Sequence, residues 1–303
     1  MDVMTAKIIL NPYASRWKAR ERIPEVEAAL QAAGLAYEII VTAYPGHGIT
    51  LATEAAAQGF NPIIAAGGDS TYNEVVNGLM KFAGNGHSPV AFGVLPIGTA
   101  NDLADNLGIP KDLEAAARLI ATGKTRPMDV CQVNERYFDN NSAIGLETSI
   151  TVIQMNMKHV HGIIRYLLAA LIGIARNPQW QMKLEWDDGV YEGPATLVSV
   201  GNNPRTGGIF FTVPHADPFD GKLSFIYGSV PSRLRLMGLL LKLLKPDQGN
   251  ITEAPEVHEV HCTWLRIHTE PGTPVHSDGE VFELDLHDLE YRILPGKLPI
   301  LVP

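Results

Sequence analysis

The chain has 303 residues, 46% of them hydrophobic and 19% charged, a composition that excludes long disordered or coiled-coil architectures and calls for a core-rich globular protein. Its length exceeds what one core of ordinary size fills, so two domains are expected. Lys plus Arg number 24 against 33 Asp plus Glu, a formal net charge of -9, which argues against nucleic-acid wrapping because phosphate binding needs a basic surface. Cys131 and Cys262 are too few for a disulfide scaffold and lack the paired spacing of a zinc site, so both are expected as small buried hydrophobes.

The first part alternates short apolar runs with helical patterns. Strands are expected at Lys7–Leu10, Tyr37–Val41, Pro62–Ala66 and Val90–Leu95, with helices over Glu25–Ala33, Leu51–Gln58 and Asn73–Phe82 between them. Asp112–Ala121 closes the series, with Asp112 where an N-cap would sit and Gly123 where a helix stop would. Strict alternation of strand and helix predicts a doubly wound, Rossmann-like α/β domain with a parallel sheet covered on both faces. Beyond about Asp129 the texture turns to strand-like segments with turn signals, including a hairpin at Asp188–Gly189, and predicts a mostly antiparallel β domain. Two apolar helical stretches, Ile163–Ile174 and Arg233–Leu244, interrupt it.

No basic region followed by a long apolar run opens the chain, so a cytoplasmic protein is expected. Ile163–Ala175 contains Arg165 and is shorter than the ~20 apolar residues that span a bilayer. Arg233–Lys245 combines dense leucines with four cations, as an interfacial helix would, with Leu239 and Leu240 expected on its membrane side. His258, His261, His268, His276 and His287 have no regular metal spacing, and surface or interface positions are expected for them.

The strongest chemical signal is GGDSTYNEVVNG, Gly67–Gly78, between an apolar strand and a helix. A glycine pair at the end of a parallel strand lets backbone N–H groups approach a ligand, and the helix N-terminus that follows favours an anion. Open α/β sheets place ligands at these carboxyl ends. Asp69 would repel a phosphate by itself, so a ribose hydroxyl or a bridging Mg²⁺ is implied. LPIGTANDLA after the next strand repeats the logic with Gly98, Thr99 and Asp102.

These residues resemble the bacterial lipid kinases of the diacylglycerol kinase catalytic-domain group, YegS-type enzymes included, with sphingosine and ceramide kinases as relatives. The resemblance runs from Asn11-Pro12 through GGDSTYNEVVNG, GTANDLA and RPMDV to PHADPFDGKLSF and HSDGE. It implies a nucleotide domain over residues 1–130, a β-sandwich lipid-substrate domain over 131–292, a tail over 293–303 that returns to the first, and an active site in the cleft between the domains. It implies ATP and Mg²⁺ as cofactors and a lipid hydroxyl, of diacylglycerol, phosphatidylglycerol or a similar lipid, as acceptor. Asn11, Thr42, Gly67, Gly68, Asp69, Ser70, Thr71, Asn73, Glu74, Gly98 and Thr99 match nucleotide-binding positions. Asp69, Asp102 and Asp129 match carboxylates that organise the catalytic Mg²⁺ through water. Asp278 matches the proton acceptor, with Glu280 beside it, and Asp217, Asp220 and Lys222 match a structural Mg²⁺ loop that uses main-chain carbonyls.

The partners implied are a lipid at a membrane surface, reached by peripheral contact at its inner face, and no nucleic acid; the resemblance also allows a homodimer. The chain departs from the family at Ser70, where glycine is usual, and at Tyr13–Ser15, where a Ser-Gly pair is usual. If Ser70 needs positive φ, it costs on the order of 1 kcal/mol. Two other readings stand beside the lipid kinase: a kinase of a soluble substrate such as NAD, and an inactive lipid- or nucleotide-binding regulator.

Overall fold

Strand β1 (Ala6–Leu10) is followed by α1 (Ile23–Ala32), β2 (Tyr37–Val41), α2 (His47–Ala57), β3 (Ile63–Gly67), α3 (Asp69–Ala83), β4 (Phe92–Pro96), α4 (Asp102–Asn106), α5 (Leu113–Thr122) and β5 (Thr125–Val133). The structure, a computed structural model, describes residues 5–15, 17–157, 160 and 162–303. It divides into two units, one reaching Val130 and taking back Leu294–Pro303, the other spanning Cys131–Ile293.

In the first unit β4, β3, β1 and β2 are neighbours in that order, all parallel. Ile8, Ile9, Leu10 and Ile63–Ala66 are all fully buried, as expected of strands covered on both faces. Ile8, Leu10, Ile64 and Ala66 join α1 and α5 in one cluster, and α2 and α3 lie against β1 and β3 otherwise. Asp112 accepts a hydrogen bond from Ala115 N at 2.9 Å, and Gly123 ends α5 with φ 68°. Chain order reverses between β1 and β3, which puts the ligand crevice of such a sheet at the carboxyl ends of those two strands.

The second unit adds β6 (Arg136–Phe138), β7 (Asn141–Gly145), α6 (Leu146–Asn156), α7 (Gly162–Arg176), β8 (Trp180–Trp186), β9 (Gly189–Ala195), β10 (Leu197–Gly201), β11 (Leu223–Gly228), α8 (Arg233–Lys242), β12 (Val257–Cys262), β13 (Trp264–Ser277) and β14 (Glu280–Leu301). Its pairings are antiparallel: β12–β11–β10–β7–β13 on one path, and β8 with both β13 and β9. β13 pairs β8 through Leu265–Glu270 and β7 through Val275–Ser277, and its register against β14 shifts between His268 and His276. Such shifts bend a strand so that it serves two sheets. The core between the layers includes Phe138, Trp180, Leu184, Phe225, Ile267 and Tyr291. A second cluster joins α6, α7 and α8 to Ile226 and Val257.

The structure corrects several local expectations. β8 and β9 are joined through Asp187-Asp188, with Trp186 paired to Gly189; the hairpin is there, one residue earlier than Asp188–Gly189. Gly189 is a strand residue packed so closely on the Trp186 ring that no Cβ fits. α6 was not anticipated. Leu239 is a core residue of the helical cluster, not membrane-facing, and His276 is buried. Cys131 and Cys262 are buried, and burial, followed by the charges of Asp187 and Asp188, pushes the Cys262 thiol up to about 12.

Candidate active site

The first unit gathers its chemistry at the carboxyl ends of β1, β3 and β4. Asn11 directly follows β1; its Nδ2 donates to Thr71 Oγ1 at 3.0 Å while its Oδ1 accepts from Tyr13 N at 3.0 Å. That side chain therefore bridges the crevice to the first turn of α3. Gly68 N-caps α3, and Asp69 begins it. Asp69 Oδ1 accepts from Leu103 N at 3.3 Å, at the start of α4. Tyr72 OH donates within a fully buried setting and lies 3.1 Å from both Gly67 O and Asn101 Oδ1. Asn101, at φ 54°, holds its own loop by accepting from Gly98 N at 3.1 Å and donating to Gly98 O at 3.2 Å.

The GGDST and GTAND loops are thus joined by side chains and by contact. A Cβ on Gly98 would collide with Gly68 Cα, so the glycine is required by close approach. Ser70 lies inside α3 and is absent from the positive-φ residues; this position needs no left-handed backbone, and serine sits there exposed without that cost. Thr42, just beyond β2, is buried, and its N–H donates to Leu10 O at 2.9 Å. Thr99 is exposed beside the same loop, and Asn73 lies one turn into α3, its O and Oδ1 both accepting from Asn77 Nδ2.

Glu74 has another employment. Its two carboxylate oxygens accept from Gly46 N at 2.7 Å and Gly48 N at 2.8 Å, placing a negative charge on the N-terminus of α2 where the helix dipole favours it. Next to Asn11 and Thr42 opens a cavity of ≈ 380 Å³ lined by Pro12, Tyr13, Trp17, Arg20, Ile23, Val41 and Thr42. Tyr13 and Trp17 meet edge to face with centroids 4.5 Å apart. Sequence reasoning did not single out this aromatic pair; the signal was there in NPYAS followed by Trp17, aromatic where the family's loop is small.

Of the expected metal carboxylates, Asp102 and Asp129 are buried. Asp129 Oδ1 accepts from Gly296 N at 2.6 Å, so it ties β5 to the returning tail. Among the described residues no group of three or more His, Cys, Asp or Glu side chains is arranged to hold a metal ion. Asp217 Oδ1 accepts from Phe219 N and Asp220 Oδ1 from Lys222 N, two short Asx turns that close the exposed 217–222 loop on itself.

The second unit builds a polar nest around the β13–β14 turn. Asp278 and Gly279 have φ 45° and 79° between paired Ser277 and Glu280, the Asp-Gly arrangement of a type I′ hairpin. The Asp278 carboxylate, 7% exposed, accepts three backbone N–H bonds, from Asp139 at 3.1 Å, Asn140 at 3.1 Å and Asn141 at 2.8 Å. Glu280, 57% exposed, meets Arg136 at 3.4 Å. Behind them His276 Nε2 lies 3.4 Å from Glu147 Oε1, which also accepts from Asn141 Nδ2 at 3.3 Å. Asn202 and Asn203 both donate to Asp139 O. His276, Glu147 and these asparagines were not identified from sequence; the runs DNNSAIGLE and VGNNPRTG, asparagines at the ends of apolar strands, are the signal that marks them.

The first unit is thus a parallel α/β fold with two glycine loops packed on one another at the carboxyl ends of β3 and β4, and the second an antiparallel β-sandwich fold. Residues 5–133 match the family described as diacylglycerol kinase catalytic domain, and residues 141–302 the YegS C-terminal NAD kinase beta sandwich-like domain. The chain belongs to this family of phosphotransferases. It is 31% identical over 289 residues to a probable lipid kinase YegS-like protein of Chromohalobacter salexigens, covering 93% of this chain and 90% of the relative. It is 34% identical to a diacylglycerol kinase of Bacillus subtilis, over 71% of each. A putative diacylglycerol kinase from Bacillus anthracis superposes with TM-score 0.81 at 26% identity, over 100% of this chain and 98% of that one.

Proposed function

We propose that this protein transfers the γ-phosphate of ATP to the hydroxyl of a membrane lipid, diacylglycerol, phosphatidylglycerol or a similar acceptor, as a peripheral protein of the cytoplasmic membrane face. The observation that carries the reading is the joined pair of loops, Gly67–Thr71 and Gly98–Asp102, at the carboxyl ends of β3 and β4, beside the switch point of the parallel sheet. Phosphoryl transfer asks a protein mainly for in-line positioning and charge neutralisation. The first-turn N–H groups of α3 supply part of that charge. Asn11 and Thr71 set the loop's width, and the Tyr13–Trp17 cavity beside Thr42 offers the nucleotide base an apolar, aromatic wall.

A magnesium ion would be held by Asp69, with phosphate oxygens and water completing its shell. Mg²⁺ is commonly bound by one or two carboxylates plus substrate phosphates, and a hard oxygen donor at a phosphate loop fits it. When bound, it neutralises charge on the transferring group. Asp102 is buried at the start of α4, and Asp129 acts from behind by fixing the tail at Gly296.

For the acceptor's proton we assign Glu280 rather than Asp278. Three N–H donors already use the Asp278 carboxylate, which makes it the staple that orders 139–141, whereas Glu280 is accessible and two residues along the same hairpin. General-base removal contributes about 10²–10⁴-fold.

The test is Mg²⁺-dependent transfer of labelled γ-phosphate to a panel of lipids in mixed micelles. Lipid-dependent product in the wild type, abolished in Asp69→Ala and reduced about 10²-fold or more in Glu280→Gln, is expected. Turnover without lipid would replace the reading by a soluble-substrate kinase. ATP binding with no product from any lipid would replace it by a regulator.

A further inference from the structure

Among the described residues, half of the exposed large apolar side chains lie on α7, on α8 and on the turn after α8. On α7 they are Ile164, Leu167, Leu168, Leu171 and Ile172, spaced i, i+3, i+4, i+7 and i+8. That is the stripe by which a helix normally meets a core, and here it faces outward. The core-facing role belongs to Ala169, Ala170 and Ile174 on the other side. On α8 the outward set is Leu234, Met237 and Leu241, continued by Leu244, while Leu236 and Leu239 enter the same inner cluster. Leu234 is 84% exposed, Leu241 66% and Ile164 61%. The two helices touch each other in the second unit, and their inner sides enter the same cluster, which leaves both stripes on the outer side of that cluster.

The two helical segments themselves carry charge opposite to that of the chain. Residues 162–176 and 233–245 contain Arg165, Arg176, Arg233, Arg235, Lys242 and Lys245 and not one Asp or Glu, in a protein of net charge -9. Three of these cations are engaged locally. Arg235 pairs with Glu256 at 2.7 Å, Lys242 caps Gly249 O and Asn250 O, and Arg165 donates to Gln154 O. Arg176, Arg233 and Lys245 are exposed. Apolar stripes with a cationic margin are how a helix lies in an anionic lipid interface. A second copy meeting this region by a two-fold axis would oppose the same positive surface to itself, which disfavours it.

We propose that the outward stripes of α7 and α8 form a docking face for an anionic bilayer. The lipid-kinase reading supplies the reason such a face is useful, and the proposal deepens that reading by saying where the membrane is met. Leu234, Leu241 and Ile164 enter the acyl boundary. Arg176, Arg233 and Lys245 remain at the headgroups.

The test is co-sedimentation of the full chain with vesicles of phosphatidylcholine alone and of phosphatidylcholine mixed with phosphatidylglycerol, at low and high salt. The wild type is expected to bind the mixed vesicles, weakly the neutral ones, and less at high salt. Leu234→Asp combined with Leu241→Asp should lower the partition coefficient about tenfold or more. Ile164→Ser should lower it severalfold from the other helix, and Arg233→Gln combined with Lys245→Gln should reduce the preference for phosphatidylglycerol about tenfold. Melting temperatures should stay at the wild-type value, because these side chains are exposed.

Wild-type binding in the leucine variants would overturn the proposal. So would a wild-type dimer, seen by sedimentation velocity, that Leu234→Asp splits without any vesicle binding; the face would then belong to a second copy. Phosphorylation of detergent-dispersed lipid should be unchanged in every one of these variants while phosphorylation in vesicles falls. Absence of activity on dispersed lipid in the wild type would refute the kinase reading while leaving the vesicle measurement to decide the face.

Discussion

Asp278 and Glu280 stand two residues apart, and their surroundings give them different work. Replacing Asp278 by Ala removes the acceptor of three backbone N–H groups in a buried turn, at about 1–3 kcal/mol for each donor left unmet. Asp278→Ala should therefore lose about 3 kcal/mol or more in denaturant unfolding and activity with it. Glu280→Gln should keep its unfolding midpoint and lose turnover. If Asp278→Ala is as stable as wild type yet inactive, the proton acceptor is Asp278 and the assignment reverses. The DGE motif is visible in the sequence, but which of its carboxylates is spoken for depends on Asp139–Asn141, more than 130 residues earlier, and local spacing carries no information about that.

At the scale of elements, Glu74 and Gly98 separate structure from binding within one loop system. Glu74→Ala strips the carboxylate from the α2 N-terminus and should cost about 1–2 kcal/mol while the ATP dissociation constant stays near wild type. Gly98→Ala should do the reverse: its Cβ has no room beside Gly68, so the two loops part and ATP affinity falls, as isothermal titration of each variant would show. The α/β half, the short α4 apart, was largely legible because its strands and longer helices announce themselves by period and cap, as Asp112 and Gly123 do for α5. α6 was not, since LETSITVIQMN mixes β-branched residues with polar ones and is held helical by packing Leu146 and Ile150 into the helical cluster. The inward side of α8 was misread for a related cause: in RLRLMGLLLK leucines lie on every side, and only tertiary contact shows that Leu239 goes in and Leu241 stays out.

At the scale of the molecule, the first unit is built from two distant pieces of chain. Leu298, Ile300 and Leu301 are buried, Ile300 pairs with Phe92, and Lys297 donates to Gly84 O at 2.8 Å, its ammonium pKa lowered by burial. Three buried aliphatic side chains are worth about 1.5–3 kcal/mol each, comparable with the ~5–15 kcal/mol that holds a domain together. Deleting 295–303 should leave the first unit unfolded or severely destabilised, measured as loss of ATP binding and of its amide-exchange protection. Retention of both would show that the tail is an ornament.

The same split ownership sets an order of events during synthesis. The segment from Cys131 to Ile293 is contiguous, whereas β4, already paired with β3, waits for its second neighbour until residues near 300 are made. The nucleotide half, though translated first, is completed last. An interrupted translation product would thus carry β4 as an open parallel edge, the kind of exposed strand that chaperones cover.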